Sequence, residues 1–498
     1  MPCRPSPPVT SLPAGVLAGH ESPVTIRFGT DGWRGIIADD FTHENVRKVA
    51  HAIARYVVRA ENPERGVLVG YDNRFDSEKF ARTAAETLTL AGIPVWLAEQ
   101  SCPTPAISLL VRQRGAAGGI VISASHNPAK WNGMKYKASY GSSALPSIVA
   151  EIEQELAVVL RDGLPALPPR PALIHSLDVR APYLESLDKL VDWDRLRAAQ
   201  FRFLIDPMHG SGAGLLKALF ERHGIACQEI RGRRDPLFGG VHPEPIEPHI
   251  EPMRAAMRAG QFHAGFAMDG DADRIGAMDR DGAFVNPHQI FSILLWHLAG
   301  TRHVPGDVAK TFSVTKLVDK LAAKFGRALY EVPVGFKYIC ELMLERDILL
   351  GGEESGGIGT KLHLPERDAT VSALLLAEVL AWHRKSLGEI IRDLHAEFGE
   401  HHFGRVDLEL RPGQKEKALE FFSNPNLARH LDFPVVNRES LDGVKLYLGD
   451  KGRPPREAGW LMIRGSGTEP MLRLYAETSS PATTRTILDR TATLVRGL

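Results

Sequence analysis

Cysteine is scarce in this 498-residue chain. Cys3, Cys102, Cys227 and Cys340 lie far apart and form no C-x-x-C pair, which argues against a disulfide framework or a thiolate zinc site and fits a reducing cytosol. No sign of charge is in surplus. Lys plus Arg and Asp plus Glu each number 60, so no overall field draws in nucleic acid or an anionic membrane, and any anion site must be local. Long hydrophobic runs are missing too: no window approaches about 18 uninterrupted apolar residues. The prolines of "MPCRPSPPVTSLPAG" stand where a signal peptide needs an apolar helix. We therefore expect a cytoplasmic protein with residues 1–23 as a disordered tail, and nothing in the composition chooses between monomer and homodimer.

Hydrophobic residues make up 44 % of the chain and charged residues 24 %, ordinary values for a globular protein with a sizeable core. At about 100 to 200 residues per domain, the length predicts several domains. Strand and helix patterns alternate: "HENVRKVAHAIARYVV" is helical, "GVLVGYD" a buried strand, "SEKFARTAAETLTLAG" a helix, "IPVWLAEQ" a strand. The alternation continues through "GGIVISA", "FRFLIDPMHGSGAGLLKALFERHG", "AGFAMDGDADRIGAMDRDG" and the helix "PHQIFSILLWHLAG". This predicts α/β layers with largely parallel sheet. The Pro-rich "RDGLPALPPRPAL" at 161–173 reads as a linker. The domains expected are 24–172, 173–284 and 285–402, followed by an α+β unit at 403–498 built from "HHFGRVDLEL", "GVKLYL", "GWLMIRGS" and the helix "TTRTILDRTATLV".

Four stretches carry chemistry. In "ISASHNP" a strand ends in Ser123 and Ser125, with His126, Asn127 and Pro128 following. A hydroxyl on a loop with hydrogen-bonding neighbours suits a nucleophile, and a plain Asn-Pro turn with a solvated histidine reads equally well. The spacing is not G-x-S-x-G, which disfavours a hydrolase elbow. In "DGDADR", Asp269, Asp271 and Asp273 follow an apolar strand, and alternate residues of an extended segment gather on one side. Carboxylates 4 Å apart repel by about 4 kcal/mol at an effective dielectric near 20, so a hard cation such as Mg²⁺ is the expected occupant. The rival is a polar turn of separately solvated aspartates. An EF-hand fails, because Arg274 and Arg280 stand where glycine and glutamate are required.

The third stretch is "GGEESGGIG", where Glu353, Glu354 and Ser355 between glycines suit a loop that accepts from sugar hydroxyls. A solvated surface loop is its commoner meaning, and no Walker A lysine follows. The fourth, "RGSGTEP", offers Arg464, Ser466, Thr468 and backbone N–H groups to a phosphate, with a hairpin-like turn as the alternative. "HGSGAG" at 209–214 misses the dinucleotide spacing and reads as tight strand-to-helix packing. Together, a hydroxyl, a divalent metal, a polyol loop and a remote anion cradle suggest phosphoryl transfer within a substrate that is phosphorylated at one end and reacts at the other.

"FGTDGWRG" at 28–35, "SASHNP", "DGDADR", "GGEESGG" and "RGSGTEP" resemble, in order, the five signatures of the α-D-phosphohexomutase family. The resemblance implies three similar mixed α/β units plus a C-terminal α+β domain around a central cleft. It implies Ser125 as phosphoryl carrier, and Mg²⁺ held by Asp269, Asp271, Asp273 and a phosphate oxygen on Ser125. Arg34, His126 and Lys135 would supply positive charge and acid or base groups. Glu353 and Ser355 would bind the sugar, with Lys337 and Arg274 as further substrate contacts, and Arg464, Ser466, Gly467 and Thr468 would cradle the distal phosphate. The implied reaction interconverts glucose 1-phosphate and glucose 6-phosphate, with glucose 1,6-bisphosphate as intermediate and activator. "GEESGG" resembles glucose-phosphate members more, although a histidine that some relatives place at Gly357 is absent and Gly467 stands where some have asparagine. Phosphomannomutase or phosphoglucosamine mutase activity is the alternative; from another class, so is a non-catalytic sugar-phosphate binder, which should have lost the serine or an aspartate that this chain keeps.

Overall fold

Every residue of "VLVGY" and "GGIVI" is buried, as expected of strands covered on both faces. The computed structural model describes residues 26–29, 31–424, 433–449, 459–465 and 471–498; the expected tail at 1–23 and Ser466, Gly467 and Thr468 lie outside them. Seven strands, β1 (Trp33–Ile36), β2 (Val67–Tyr71), β3 (Val95–Ala98), β4 (Gly118–Ile122), β5 (Trp131–Ala138), β6 (Ser142–Ser143) and β7 (Ile174–Leu177), form a sheet in the order β1-β5-β4-β2-β3-β7, with β6 on β5. The second sheet contains β8 (Arg202–Asp206), β9 (Ala226–Glu229), β10 (Ala264–Met268), β11 (Ile275–Asp279) and β12 (Phe284–Val285), in the order β12-β11-β10-β8-β9. The third contains β13 (Asp307–Thr311), β14 (Leu329–Val332), β15 (Ile348–Gly352) and β16 (Ile358–Thr360), in the order β14-β13-β15-β16. The last is antiparallel throughout: β17 (His402–Glu409), β18 (Val435–Glu439), β19 (Val444–Leu448), β20 (Gly459–Gly465) and β21 (Met471–Thr478), in the order β17-β21-β20-β19-β18.

The first three sheets share one device. Each has a parallel interior and then reverses, at β4 to β5, β10 to β11 and β15 to β16. The reversing loops are "SASHNP", "DGDADR" and "EESGG". The sheets are thus mixed rather than largely parallel. A second difference concerns the first boundary: β7 lies beyond residue 172 yet pairs with β3, so the first sheet continues past the Pro-rich stretch.

Helices form where the sequence caps them. Thr42 accepts from Asn45 N at the start of His43–Ala60, and Asp368 accepts from Thr370 N and Val371 N at the start of Ala369–His383. The latter is buried from Ala369 to Ala381, which explains its unbroken apolar run. "PHQIFSILLWHLAG" is α-helical only to Leu295 and continues as a π-turn from Trp296 to Thr301. One hydrophobic core runs through the first three units, while the fourth has its own. A small cluster joins Phe312 of the third to Tyr447, Trp460, Met462 and Tyr475 of the fourth.

Candidate active site

The β4–β5 loop is held by a residue from another strand end. Arg74 is fully buried and donates from Nη2 to the carbonyls of Ser125 (2.6 Å) and Asn127 (2.7 Å), and from Nη1 to those of Pro128 (2.9 Å) and Trp131 (3.0 Å). Its Nε is paired with Asp72 at 3.0 Å, and its guanidinium lies over the Phe238 ring. These bonds hold Ser125 at φ +53°, a left-handed conformation rare for serine. Ser125 is 1 % exposed, and its Oγ donates to Asp269 Oδ2 at 2.7 Å, with His126 Nδ1 3.5 Å away.

Asp269, Asp271 and Asp273 are completely buried, with one oxygen from each within 4.8 Å of the others. Burial excludes the separately solvated turn. The carboxylates converge for a different reason than alternation along a strand: β10 ends at Met268, Ala272 takes φ +56°, and Asp273 N and Arg274 N both donate to Asp269 Oδ1. Thr104 Oγ1 donates to Asp271 Oδ2, Lys135 Nζ lies 2.7 Å from Asp271 and 3.3 Å from Asp273, and Arg274 Nε is 3.8 Å from Asp273. Burial and the neighbouring Asp273 and Asp271 raise the Asp269 carboxyl well above its ordinary range. Burial opposes the charge of Lys135, but Asp271, Asp273 and Asp31 outweigh it and raise the amine above its ordinary value.

Two observations suit this donor set to a divalent cation. Asp271 Oδ1 and Asp273 Oδ1 are buried with no hydrogen-bond partner among the described residues. The three aspartates also form one cluster of hard oxygen donors, each offering an oxygen within 4.8 Å of the others, the ligand type that such an ion takes.

The β15–β16 loop is not solvated. Glu353 is 6 % exposed and lies 3.4 Å from Arg367 Nη1; burial, opposed by Arg367 and reinforced by Glu354, pushes its carboxyl up to about 7. Glu354 is anchored by Ser313 Oγ (2.6 Å) and Thr311 Oγ1 (3.2 Å). Ser355 Oγ has no partner among the described residues and remains free to bind. The loop reaches the metal loop directly, through a bridge between Arg274 and Gly357 and a 3.1 Å bond from Ile275 N to Gly356 O.

Arg34 donates to Asn127 Oδ1 beside Ser125. Burial and the charges of Arg274, Arg34, Arg405 and Arg473 hold the His126 imidazole well below its ordinary range. The fourth unit therefore directs cations toward the serine loop. Its Arg464 pairs with Asp442 at 2.9 Å, and Asp442 also accepts from Val334 N of the third unit. Lys337 is the expected residue that the geometry leaves aside: its Nζ stands over the Tyr338 ring, and no bond ties it to the site among the described residues. The sequence reading passed over Asp31, Asp72, Arg74, Thr104, Lys137 and Arg367. "DNR" after β2 and "PERD" before the apolar helix, polar charges abutting buried runs, were the available signals for three of them, Asp72, Arg74 and Arg367.

A buried serine, an acidic pocket suited to a metal ion and nearby arginines at the meeting of three α/β sheets and a fourth domain suit an enzyme that moves phosphoryl groups on anionic substrates. Descriptions of phosphoglucomutase/phosphomannomutase match all four units: α/β/α domain I over residues 25–159, domain II over 181–282, domain III over 286–398 and the C-terminal domain over 455–494. The chain belongs to this family of phosphohexomutases, intramolecular phosphotransferases of the isomerase class. It is 27 % identical to a phosphoglucomutase of Komagataeibacter xylinus, covering 92 % of this chain and 88 % of that one. It is 30 % identical to a phosphoglucosamine mutase of Polaromonas sp., covering 94 % and 99 %. A crystal structure described as a phosphomannomutase of Thermus thermophilus superposes with a TM-score of 0.81 at 34 % identity, covering 94 % and 99 %. No described helix is long and apolar enough to cross a membrane.

Proposed function

We propose that the protein is a phosphoglucomutase, interconverting glucose 1-phosphate and glucose 6-phosphate through phospho-Ser125 and bound glucose 1,6-bisphosphate. The observation that carries the reading is the 2.7 Å bond from Ser125 Oγ to Asp269 in a pocket shared with Asp271 and Asp273. In the first half-reaction the Oγ–P bond of phospho-Ser125 breaks and a bond from phosphorus to the free sugar hydroxyl forms, releasing that hydroxyl's proton. Neutral His126 beside Oγ suits proton exchange there, whereas Lys135, raised in pKa and paired with three aspartates, serves as a fixed cation. Arg34 and Arg274 stabilise the transferring group.

Asp269, Asp271 and Asp273, with a phosphate oxygen on Ser125, would hold Mg²⁺, which when bound neutralises charge developing on the phosphoryl group. Glu353 and Ser355 hold sugar hydroxyls. The bisphosphate then turns around, Arg464, Ser466, Gly467 and Thr468 exchange one phosphate for the other, and Ser125 recovers the phosphoryl group. Relatives named phosphoglucosamine mutase and a neighbour described as a phosphomannomutase favour a second reading with those sugars. Measuring kcat/KM for the 1-phosphates of glucose, mannose and glucosamine decides between them. Ser125→Ala should abolish turnover, leave the melting temperature in place and lack the about 80 Da carried by a phosphoenzyme; ordinary turnover in this variant removes Ser125 from the mechanism.

A further inference from the structure

"LPERDA" at 364–369 belongs to none of the five signatures, yet its arginine reaches three of them. Arg367 is 4 % exposed. Its Nη2 lies 2.6 Å from Asp31 Oδ2 and 2.9 Å from Asp273 Oδ2, its Nη1 3.4 Å from Glu353 Oε2, and its Nε 3.5 Å from Glu366 Oε1. The guanidinium also rests 5.6 Å from the centroid of the Phe336 ring. A cation held by four carboxylates and an aromatic face has one available position.

The stem matters as well as the charge. A Cβ placed on Gly357 would collide with Arg367 Cδ, approach its Cγ at 3.0 Å and lie 2.9 Å from Glu353 Oε2. Gly357 is not among the glycines with positive φ, so the backbone does not call for glycine there. Arg367 already takes the volume that a side chain at 357 would fill.

We propose that Arg367 sets which sugar phosphate the cleft accepts: it fills the space beside Glu353 and fixes a positive charge there, so a neutral sugar hydroxyl is accepted and the ammonium of a hexosamine phosphate is rejected. The proposal rests on the reading of Glu353 as a sugar contact. A group hydrogen-bonded to Glu353 Oε2 at about 2.8 Å lies within about 6 Å of Arg367 Nη1, where a like charge is unfavourable away from bulk water. Relatives of this chain include phosphoglucosamine mutases, so the discrimination is one that this fold can make in either direction.

The test is the ratio of kcat/KM for glucosamine 1-phosphate to that for glucose 1-phosphate at pH 7, in the full-length protein and in Arg367→Gln and Arg367→Lys. Arg367→Gln should raise the ratio at least tenfold through a lower KM for the glucosamine ester, and Arg367→Lys should stay within threefold of the unmodified protein. An unchanged ratio in Arg367→Gln overturns the proposal. If that variant turns over neither sugar, dissociation constants of the two esters read the same ratio: a tenfold shift supports the charge role, and an equal loss for both defeats it. The volume argument has its own readout in thermal unfolding. Gly357→Ala should lower the melting temperature markedly in the native background and by clearly less when Arg367 is also Ala, and additive losses count against it. A native protein that prefers mannose phosphate would refute the glucose reading while leaving the ratio shift as the test of Arg367.

Discussion

Ser125 is held at φ +53° by bonds that its side chain does not make. Four carbonyls of its loop point at the Arg74 guanidinium, whose charge is balanced by Asp72, and both side chains are fully buried. Removing one partner of a buried pair leaves the other uncompensated, typically at about 3–5 kcal/mol. Arg74→Ala is therefore expected to lose about that much stability in urea unfolding, and to lower turnover beyond what partial unfolding explains, because the serine loop relaxes out of the left-handed conformation. A variant with native kcat would show that β4 and β5 position Ser125 without the staple.

At the level of elements, the three reversing loops are packed so closely that single atoms decide their spacing. A Cβ on Gly270 would lie 2.5 Å from Ser125 O, and that oxygen is already fixed by Arg74 Nη2 at 2.6 Å. Gly210 is confined in the same way, with Asp269 O and Gly270 O each 2.8 Å from the point a methyl group there would occupy. The "HGSGAG" segment therefore supports the metal loop as well as the following helix, and Ser211 N donates to Gly270 O. Gly270→Ala should push the serine and aspartate loops apart. A displacement of about 1 Å at reacting groups costs on the order of 100-fold in rate, so kcat should fall by about that factor while circular dichroism still reports a folded protein. Retention of kcat within a few-fold would mean that the loops yield without losing register.

At the scale of the whole molecule, the first three units share one core and the fourth has its own. A single core crosses the first three, and their motif loops are stitched together by bonds such as Thr104 N to Asp271 O and Ala369 N to Ala272 O. The fourth has a separate core and meets the third at a small aromatic cluster. Lys445 sits in it, donating to Phe312 O at 2.6 Å, with Nζ 4.6 Å from the Phe312 ring centroid and 4.5 Å from that of Trp460. Burial, opposed by Glu331, pulls its amine down to about 7. The unfolded chain titrates near 10.4, so between those values it binds one more proton than the folded protein, and this group makes stability rise with pH across that window, by at most about 1.4 kcal/mol per unit. Below about pH 7 the amine is charged in both states and the cost of burying it persists. Lys445→Met should remove the slope, read as a melting-temperature difference from the native protein that shifts between pH 7 and pH 9 in favour of the native protein. A constant difference would place Lys445 outside the linkage.

Local sequence was enough for the α/β alternation, the strands and closing helix of the last unit, and the three polar motifs that the sheets bring together where they reverse, because strand burial, helix caps and dense polar motifs are written in consecutive residues. Three things were beyond it. The reversal of each sheet at its motif depends on strand pairing, which consecutive residues do not encode. The convergence of the aspartates depends on a left-handed turn at Ala272 that an alternation rule misses. The cations that hold the site, Arg74 and Arg367 above all, lie 51 and 242 residues from Ser125. Their roles arise only when several chain segments close around buried charges, because a charge taken out of water must find its partners wherever the fold brings them, and spacing along the chain carries no record of that meeting.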